Sequence, residues 1–265
     1  MSSTRTLRLG DTNLTRIGLG TNRLTNTPEH VTFVQETVVA GLDLIDTAHN
    51  YTGGESEETI GAALGGVTQH VIVATKGGWG AGRGRPELLR AQMEQSLRRL
   101  RTDRIALYYL HRVDPETPLE ESLEAIKEYR DRGIIGEVGI SEVSIDQIER
   151  ARQILPIAAV QNHYNLSERK HEQVIDYCTR EHIVFVPFFP LHGDGGPELR
   201  QIAAAHDATP AQITLAWLLR RSPVMLPIPG TLSLEHLQEN LGALDIELSD
   251  DEFQALAESG PCAPS

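Results

Sequence analysis

The stretch IALYYLHRVDPETPLEESLEAIKEYRDRGIIGEVGI, residues 105–140, holds a complete strand–helix–strand unit. Ile105–Leu110 and Ile135–Ile140 are short apolar runs, the pattern of parallel strands buried on both faces. Between them, Pro118 opens PLEESLEAIKEYRDRG, whose apolar residues recur at helical spacing, and Gly133 closes it.

Outward from this unit the same alternation continues. Further candidate strands lie around Ile17–Gly20, Leu44–Asp46, Val71–Thr75, Ala158–Gln161, Ile183–Phe188 and Val224–Ile228. Thr27 caps a helix with Pro28 in its first position and Gly41 at its end. Pro86 opens PELLRAQMEQSLRRL, and Thr209-Pro210 starts PAQITLAWLLRR, which is apolar on most sides and expected to be well buried. Ser249 with Glu252 forms a capping box for a last helix. At the start, Thr6–Leu9 and Leu14–Ile17 flank the turn signal Gly10-Asp11-Thr12-Asn13, an expected hairpin.

Eight strand–helix units in about 250 residues suit an α/β fold, a (β/α)₈ TIM barrel with an N-terminal β-hairpin and a C-terminal extra helix. Residues 1–265 read as one domain, with no repeat or linker. The alternative, an open doubly wound sheet, lacks its fingerprint, since Gly18-Leu19-Gly20 is followed by Thr-Asn-Arg instead of G-x-x-G spacing.

Charge narrows the partners. With 24 basic and 37 acidic residues the net charge is −13, and no basic face for nucleic acid is expected. No apolar run is long enough for a membrane span, and MSSTRTLRLG lacks a signal-peptide core, so a cytoplasmic location and no membrane partner are expected. Cys178 and Cys262 have no metal or redox spacing, and Cys178 reads as a half-buried thiol in a helix.

Barrel sites are built at the C-terminal ends of the strands. Read in order, those ends give Asp46, with Tyr51 in the following loop, then Lys76, then His111. Each taken singly has an ordinary structural reading: a turn cap, a rim aromatic, a solvated lysine, a core histidine. Together they suit proton donation to a carbonyl oxygen. A phenol is a weak acid at neutral pH, a neighbouring ammonium favours its ionised form, and a carboxylate holds the ammonium.

The chain resembles the aldo-keto reductases over nearly its full length. The resemblance is carried by LIDTAHNY with GESEETIG, VIVATKGG, YYLHRVDP, GEVGISE, VQNHYN, VPFFPLHG, TPAQITLAWLLRR and IPGTLSLEHLQENLGA, in that order. It implies NADPH-dependent reduction of an aldehyde or ketone, with Tyr51 as proton donor, Lys76 and Asp46 tuning it, and His111 positioning the carbonyl. It also implies a cofactor site. Ser141 and Gln161 would hold the nicotinamide carboxamide and Phe188 would stack on the ring. Gly20, Thr21, Asp46, Pro190, Leu191 and Ile228 would line the tunnel. Gly230, Thr231, Ser233, His236, Glu239 and Asn240 would form the phosphate and adenine end.

Three positions depart from the family pattern. Glu142 stands where an asparagine usually follows the serine. Gly230 replaces a lysine and His236 a common arginine, so NADPH is favoured with NADH not excluded. For the substrate, Trp79 and His49 are placed at the pocket, although both also read as rim packing, as does His163. The loop GAGRGR (80–85) is glycine-rich and expected to be mobile. The tail SGPCAPS is too short to cover the mouth, so an open pocket for small or planar aldehydes is expected. VPFFPLHG, LAWLLRRSP and IPGT also resemble bacterial pyridoxal reductases of the family, which makes pyridoxal a candidate. A monomer with no metal is expected. The rival readings are a cofactor-binding regulatory protein with little turnover and a metal-dependent barrel hydrolase.

Overall fold

The computed structural model describes residues 5–65, 71–193 and 196–259. The chain opens with the antiparallel pair β1 (Thr6–Leu9) and β2 (Thr12–Thr15), with Leu9 facing Thr12. The loop is therefore Gly10-Asp11, and β2 starts two residues earlier than the turn signal implied.

Among the described residues, seven parallel strands follow in sequential order. They are β3 (Leu19–Gly20), β4 (Leu44–Asp46), β5 (Ile72–Gly77), β6 (Ile105–Leu110), β7 (Ile135–Ser141), β8 (Ala159–Gln161) and β9 (Val184–Phe185). The expected eighth strand, around Val224–Ile228, is not a continuous ladder. Bridges pair Phe185 with Met225 and Gly20 with Gly230, and the carbonyls of Pro227 and Pro229 accept from the N–H groups of Gly18 and Gly20. Prolines 227 and 229 have no N–H to return, so this edge closes with half its bonds. Closure still results, and the fold is a (β/α)₈ barrel.

Helices alternate with the strands: α1 (Pro28–Val39), α2 (Glu55–Leu64), α3 (Pro86–Leu100), α4 (Leu119–Asp131), α5 (Ile145–Ile154), α6 (Glu172–Arg180), α7 (Gly196–Ala205), α8 (Pro210–Arg221), α9 (Leu234–Gly242) and α10 (Asp250–Ser259). Thr27 caps α1, Thr209 and Gln212 form a capping box on α8, and Ser249 and Glu252 bond reciprocally at α10. Seven consecutive residues of α8, Ile213–Leu219, are buried, as its apolar pattern implied. Cys178 is fully buried, not half-buried, because its side of α6 faces the strands; burial pushes its thiol up to about 12. Cys262 and the tail 260–265 lie outside the described residues.

Two cores result from the period of two along each strand. Leu44, Ile72, Ala74, Leu107, Tyr109, Ala159, Val184, Val186, Leu226 and Ile228 fill the barrel, and Leu9 and Leu14 of the hairpin close its N-terminal end. Ile45, Tyr108, Val138, Ile140, Val160 and Phe185 point outward to the helices. Packing inside is tight: a Cβ on Gly139 would fall 2.3 Å from the Tyr109 ring, so no larger residue fits there.

Candidate active site

The inward rows run directly into the site. One step beyond Leu44 on its row is Asp46; beyond Ile72 and Ala74 is Lys76; beyond Leu107 and Tyr109 is His111. Gln161 follows Ala159, and Phe188 follows Val184 and Val186, in the same way. The residues that end the hydrophobic filling are thus the ones that line the C-terminal mouth. Asp46, Lys76, His111 and Gln161 are all buried. Tyr51 arrives from the one-turn helix Tyr51–Gly54 after β4, which is tied down where Thr52 Oγ1 donates to the Leu24 carbonyl at 2.6 Å.

The Lys76 ammonium spends its three protons on Asp46 Oδ1 at 2.5 Å, the Thr47 carbonyl at 2.7 Å and the Tyr51 hydroxyl at 3.4 Å. Gln161 Nε2 donates to the other Asp46 oxygen at 2.8 Å. Burial works against the charge on Lys76, but Asp46 and Tyr51 outweigh it and hold the ammonium above its ordinary pKa. Burial alone pushes the Asp46 carboxyl up, against the pull of Lys76 and Gln161; the short contacts support the ionised pair.

His111 packs against Trp79 with ring centroids 4.6 Å apart and meets Tyr51 edge-on at 5.9 Å. Burial, with Lys76 and Arg112 nearby, pushes its imidazole down to about 2, so the ring is neutral at physiological pH. Its buried Nδ1 has no hydrogen-bond partner among the described residues.

A cavity of about 480 Å³ opens over this group. Of the residues singled out in the sequence, Gly20, Thr21, Asp46, Tyr51, Trp79, His111, Gln161, Phe188, Pro190, Leu191, Ile228 and Gly230 line it. A Cβ on Gly20 would lie 2.8 Å from the Ile228 carbonyl, so glycine is needed to let these two walls meet. Lys76 lies behind Tyr51. Ser141 is reached through Arg112, whose Nη1 donates to Ser141 Oγ at 2.9 Å.

The far end is separate from the cavity. Thr231 Oγ1 accepts from Ser233 N, Ser233 caps α9 by accepting from His236 N, and Asn240 is buried. Glu239 accepts from Thr209 Oγ1 and so ties α9 to the start of α8. His49 does not join the cavity lining. Its ring faces a neighbouring groove with Arg83 and Arg99; burial and those two cations push it down to about 4. Glu142 has φ +55° and accepts from the His163 N–H at 2.6 Å; despite burial, the nearby His171 ring at 3.6 Å, the His163 bond and the charge of Lys170 hold it at about 2. His163 stacks on Phe188 at 5.1 Å.

The loop 80–85 is anchored, contrary to its composition. Asp114 accepts from the N–H groups of Gly82 and Gly84, both at 2.8 Å, and Ser122 Oγ donates to the Gly84 carbonyl. Burial opposes charge on Asp114, yet these bonds and Thr117 hold its carboxyl below the usual range. The cavity residues missed in the sequence are Asn22, Arg23, Asn50, Arg112, Phe189, His192 and Pro229. Arg112 directly follows His111 but lies off the inward row, so the strand pattern gives no sign of it.

A closed parallel barrel with a buried lysine–carboxylate pair holding a tyrosine defines a barrel oxidoreductase site. Comparison with known proteins gives the family. The profile of the Aldo/keto reductase family matches residues 16–260. An uncharacterized oxidoreductase of Schizosaccharomyces pombe is 36% identical over 280 residues, covering 98% of this chain and 91% of that protein. The pyridoxine 4-dehydrogenase of Escherichia coli is 34% identical over 281 residues, covering 96% of this chain and 98% of that one. Among solved structures, a thermostable aldo-keto reductase bound to the inhibitor epalrestat superposes with a TM-score of 0.89 at 32% identity, covering 97% of this chain and all of that one. A Klebsiella pneumoniae aldo/keto reductase in complex with NADP and acetate gives 0.86 at 30% identity, covering 96% and 95%.

The chain belongs to the aldo/keto reductase family. It is thus an oxidoreductase of carbonyl and alcohol groups, and Klebsiella pneumoniae relatives have been solved with NADP and with NADPH bound. Among the described residues, no helix is long and apolar enough to cross a membrane.

Proposed function

We propose that this protein reduces small or planar aldehydes, pyridoxal among them, with Tyr51 as the proton donor. The observation that carries the reading is the Lys76 ammonium shared between Asp46 and the Tyr51 hydroxyl. A cation at that distance stabilises the phenolate that is left when Tyr51 gives up its proton. Asp46 keeps the cation in place, and Gln161 fixes the carboxylate from the other side.

NADPH fits the groups on the cavity walls and just behind them. Gln161 on the wall and Ser141, which sits behind Arg112, offer side-chain hydrogen bonds, Phe188 offers an aromatic face, and Arg23 and Arg112 bring positive charge to a chain that is acidic overall. At the far end, Thr231, Ser233 and His236 gather around the start of α9, whose N–H groups favour an anion. The bound cofactor supplies hydride. Neutral His111 donates a hydrogen bond to the substrate oxygen and orients it toward Tyr51, and the Trp79 and His111 rings keep water off the reacting face.

The pyridoxal reading rests on the likeness to the Escherichia coli pyridoxine 4-dehydrogenase and on the open aromatic wall of Trp79. NADPH oxidation measured with pyridoxal, nitrobenzaldehyde and methylglyoxal tests it. Turnover of pyridoxal with kcat/KM at least equal to the other two supports the substrate; turnover of the others without pyridoxal removes it. No turnover of any carbonyl removes the reductase reading and favours a regulatory cofactor-binding role.

A further inference from the structure

Arg112 is out of place for a packing residue. It follows His111 at the mouth of the barrel and lines the cavity, half-buried. Its Nη1 donates to the His111 carbonyl at 2.7 Å and to Ser141 Oγ at 2.9 Å. The Nε and Nη2 groups make no bond to the described residues. Its guanidinium lies over Trp79 at 4.6 Å and over Phe188 at 5.5 Å, between two aromatic faces.

No carboxylate lies within ion-pair distance of it among the described residues, although the chain carries 37 acidic side chains. Glu142 is near enough to be felt, but it is committed to the His163 N–H, Lys170 and His171. Among the described residues, the only carboxylate in the cavity lining is Asp46, which is committed to Lys76 and Gln161. Arg23, the other cation of the lining, is tied at the rim to the Gly230 carbonyl at 2.9 Å. Among the described residues, the cavity thus has one half-buried positive charge, Arg112, without a counter-ion.

We infer that Arg112 is a specificity-determining residue that holds a carboxylate on the substrate, so that the preferred carbonyl compounds are planar and anionic. The inference rests on the reductase reading above. The aromatic plates hold the guanidinium in place with its Nε–Nη2 edge unbonded, and that edge matches a carboxylate in a two-bond fork. Ser141 and Phe188 are also the groups proposed to receive the nicotinamide. With those contacts taken, Arg112 keeps the Trp79 face, beside His111 and the reacting oxygen. The hydride and proton transfers are unchanged; the arginine acts on binding and orientation.

The test compares 3- and 4-carboxybenzaldehyde with their methyl esters as substrates of the whole enzyme with NADPH. The esters are the more electrophilic aldehydes, so intrinsic reactivity runs against the prediction. We expect kcat/KM for at least one acid to exceed that of its ester about tenfold or more, mainly through KM, as one charge-assisted fork supplies. In Arg112→Met that ratio falls to near one, and Arg112→Lys restores part of it. Calorimetry gives a readout free of turnover: isophthalate or terephthalate binds the NADP⁺-loaded wild type at least tenfold tighter than its dimethyl ester.

An equal or inverted acid-to-ester ratio in the wild type for both pairs overturns the inference, and so does a preference that survives in Arg112→Met. If a substituted protein does not fold, the wild-type ratio and the calorimetry still decide. Failure of both esters and both acids to be reduced would instead count against the reductase reading.

Discussion

Gln161 donates to Asp46 Oδ2 at 2.8 Å across the barrel mouth, and so shares one buried carboxylate with Lys76. The two sit on opposite sides of the mouth, β8 against β4. The carboxylate is thereby held from two directions and cannot turn away from the lysine.

The first prediction concerns the proton donor. Tyr51→Phe removes the hydroxyl and keeps the ring that meets His111 edge-on. We expect kcat to fall by about 10²–10⁴ for loss of a positioned general acid. The Kd of NADPH, read by fluorescence titration, should stay within about threefold. Retention of the wild-type kcat would remove Tyr51 from the mechanism.

Lys76→Met tests the buried pair by stability. It leaves Asp46 ionised, buried and short of its main partner, which costs about 3–5 kcal/mol. At this chain length that corresponds to a fall in Tm of roughly 10 °C. Asp46→Leu combined with Lys76→Met removes both charges and should recover most of the loss, since the apolar pair no longer needs solvation. A double variant as unstable as the single one would show that packing, not charge, dominates.

The third prediction is a pH dependence. His111 titrates at about 2 in the folded protein because of burial and of Lys76 and Arg112, against an ordinary value near 6.5. The unfolded chain therefore binds the extra proton first. Stability from this group is complete above about pH 6.5 and is lost as pH falls toward the folded value, by about 1.4 kcal/mol per pH unit. Urea unfolding from pH 7.5 to 4.5 should show this slope, reduced by about one proton in His111→Asn. An unchanged slope in that variant would mean that His111 is already protonated in the folded state.

How much of this was legible depends on whether a residue's partner is also its neighbour in the strand pattern. Asp46, Lys76 and His111 could be placed because inward rows of parallel strands converge on one rim, and a strand end is visible in sequence. Arg112 escaped because it falls one step past His111, off the inward row, and only Ser141, Trp79 and Phe188 from other strands turn it into the cavity. The anchored loop 80–85 was hidden for the same reason: glycines signal freedom, but Asp114, some thirty residues on, removes it. The eighth strand reads as apolar, yet Pro227 and Pro229 deny it a full ladder. Arg16 appears in the sequence as one more polar residue beside a hairpin and is in fact 1% exposed.

That residue carries the last prediction. Arg16 Nη2 donates to the Leu219 carbonyl at 2.7 Å and the Ser222 carbonyl at 2.6 Å, and Nε to the Met225 carbonyl at 3.3 Å. These carbonyls belong to the end of α8 and the turn leading into the closing segment, where a helix terminus leaves its last carbonyls without partners. Burial pulls the guanidinium down to about 10, so it remains charged at neutral pH. Arg16→Met keeps the side-chain volume but leaves several buried acceptors unpaired, at about 1–3 kcal/mol each where water cannot reach them. We expect urea unfolding to show a loss of at least about 3 kcal/mol and limited proteolysis to cut first near 222–230, the segment that closes the barrel. Because this end lies opposite the catalytic mouth, kcat of the folded fraction should hold at the wild-type value. A stable Arg16→Met protein would mean that the bridges to Gly20 and Phe185 suffice to close the ring.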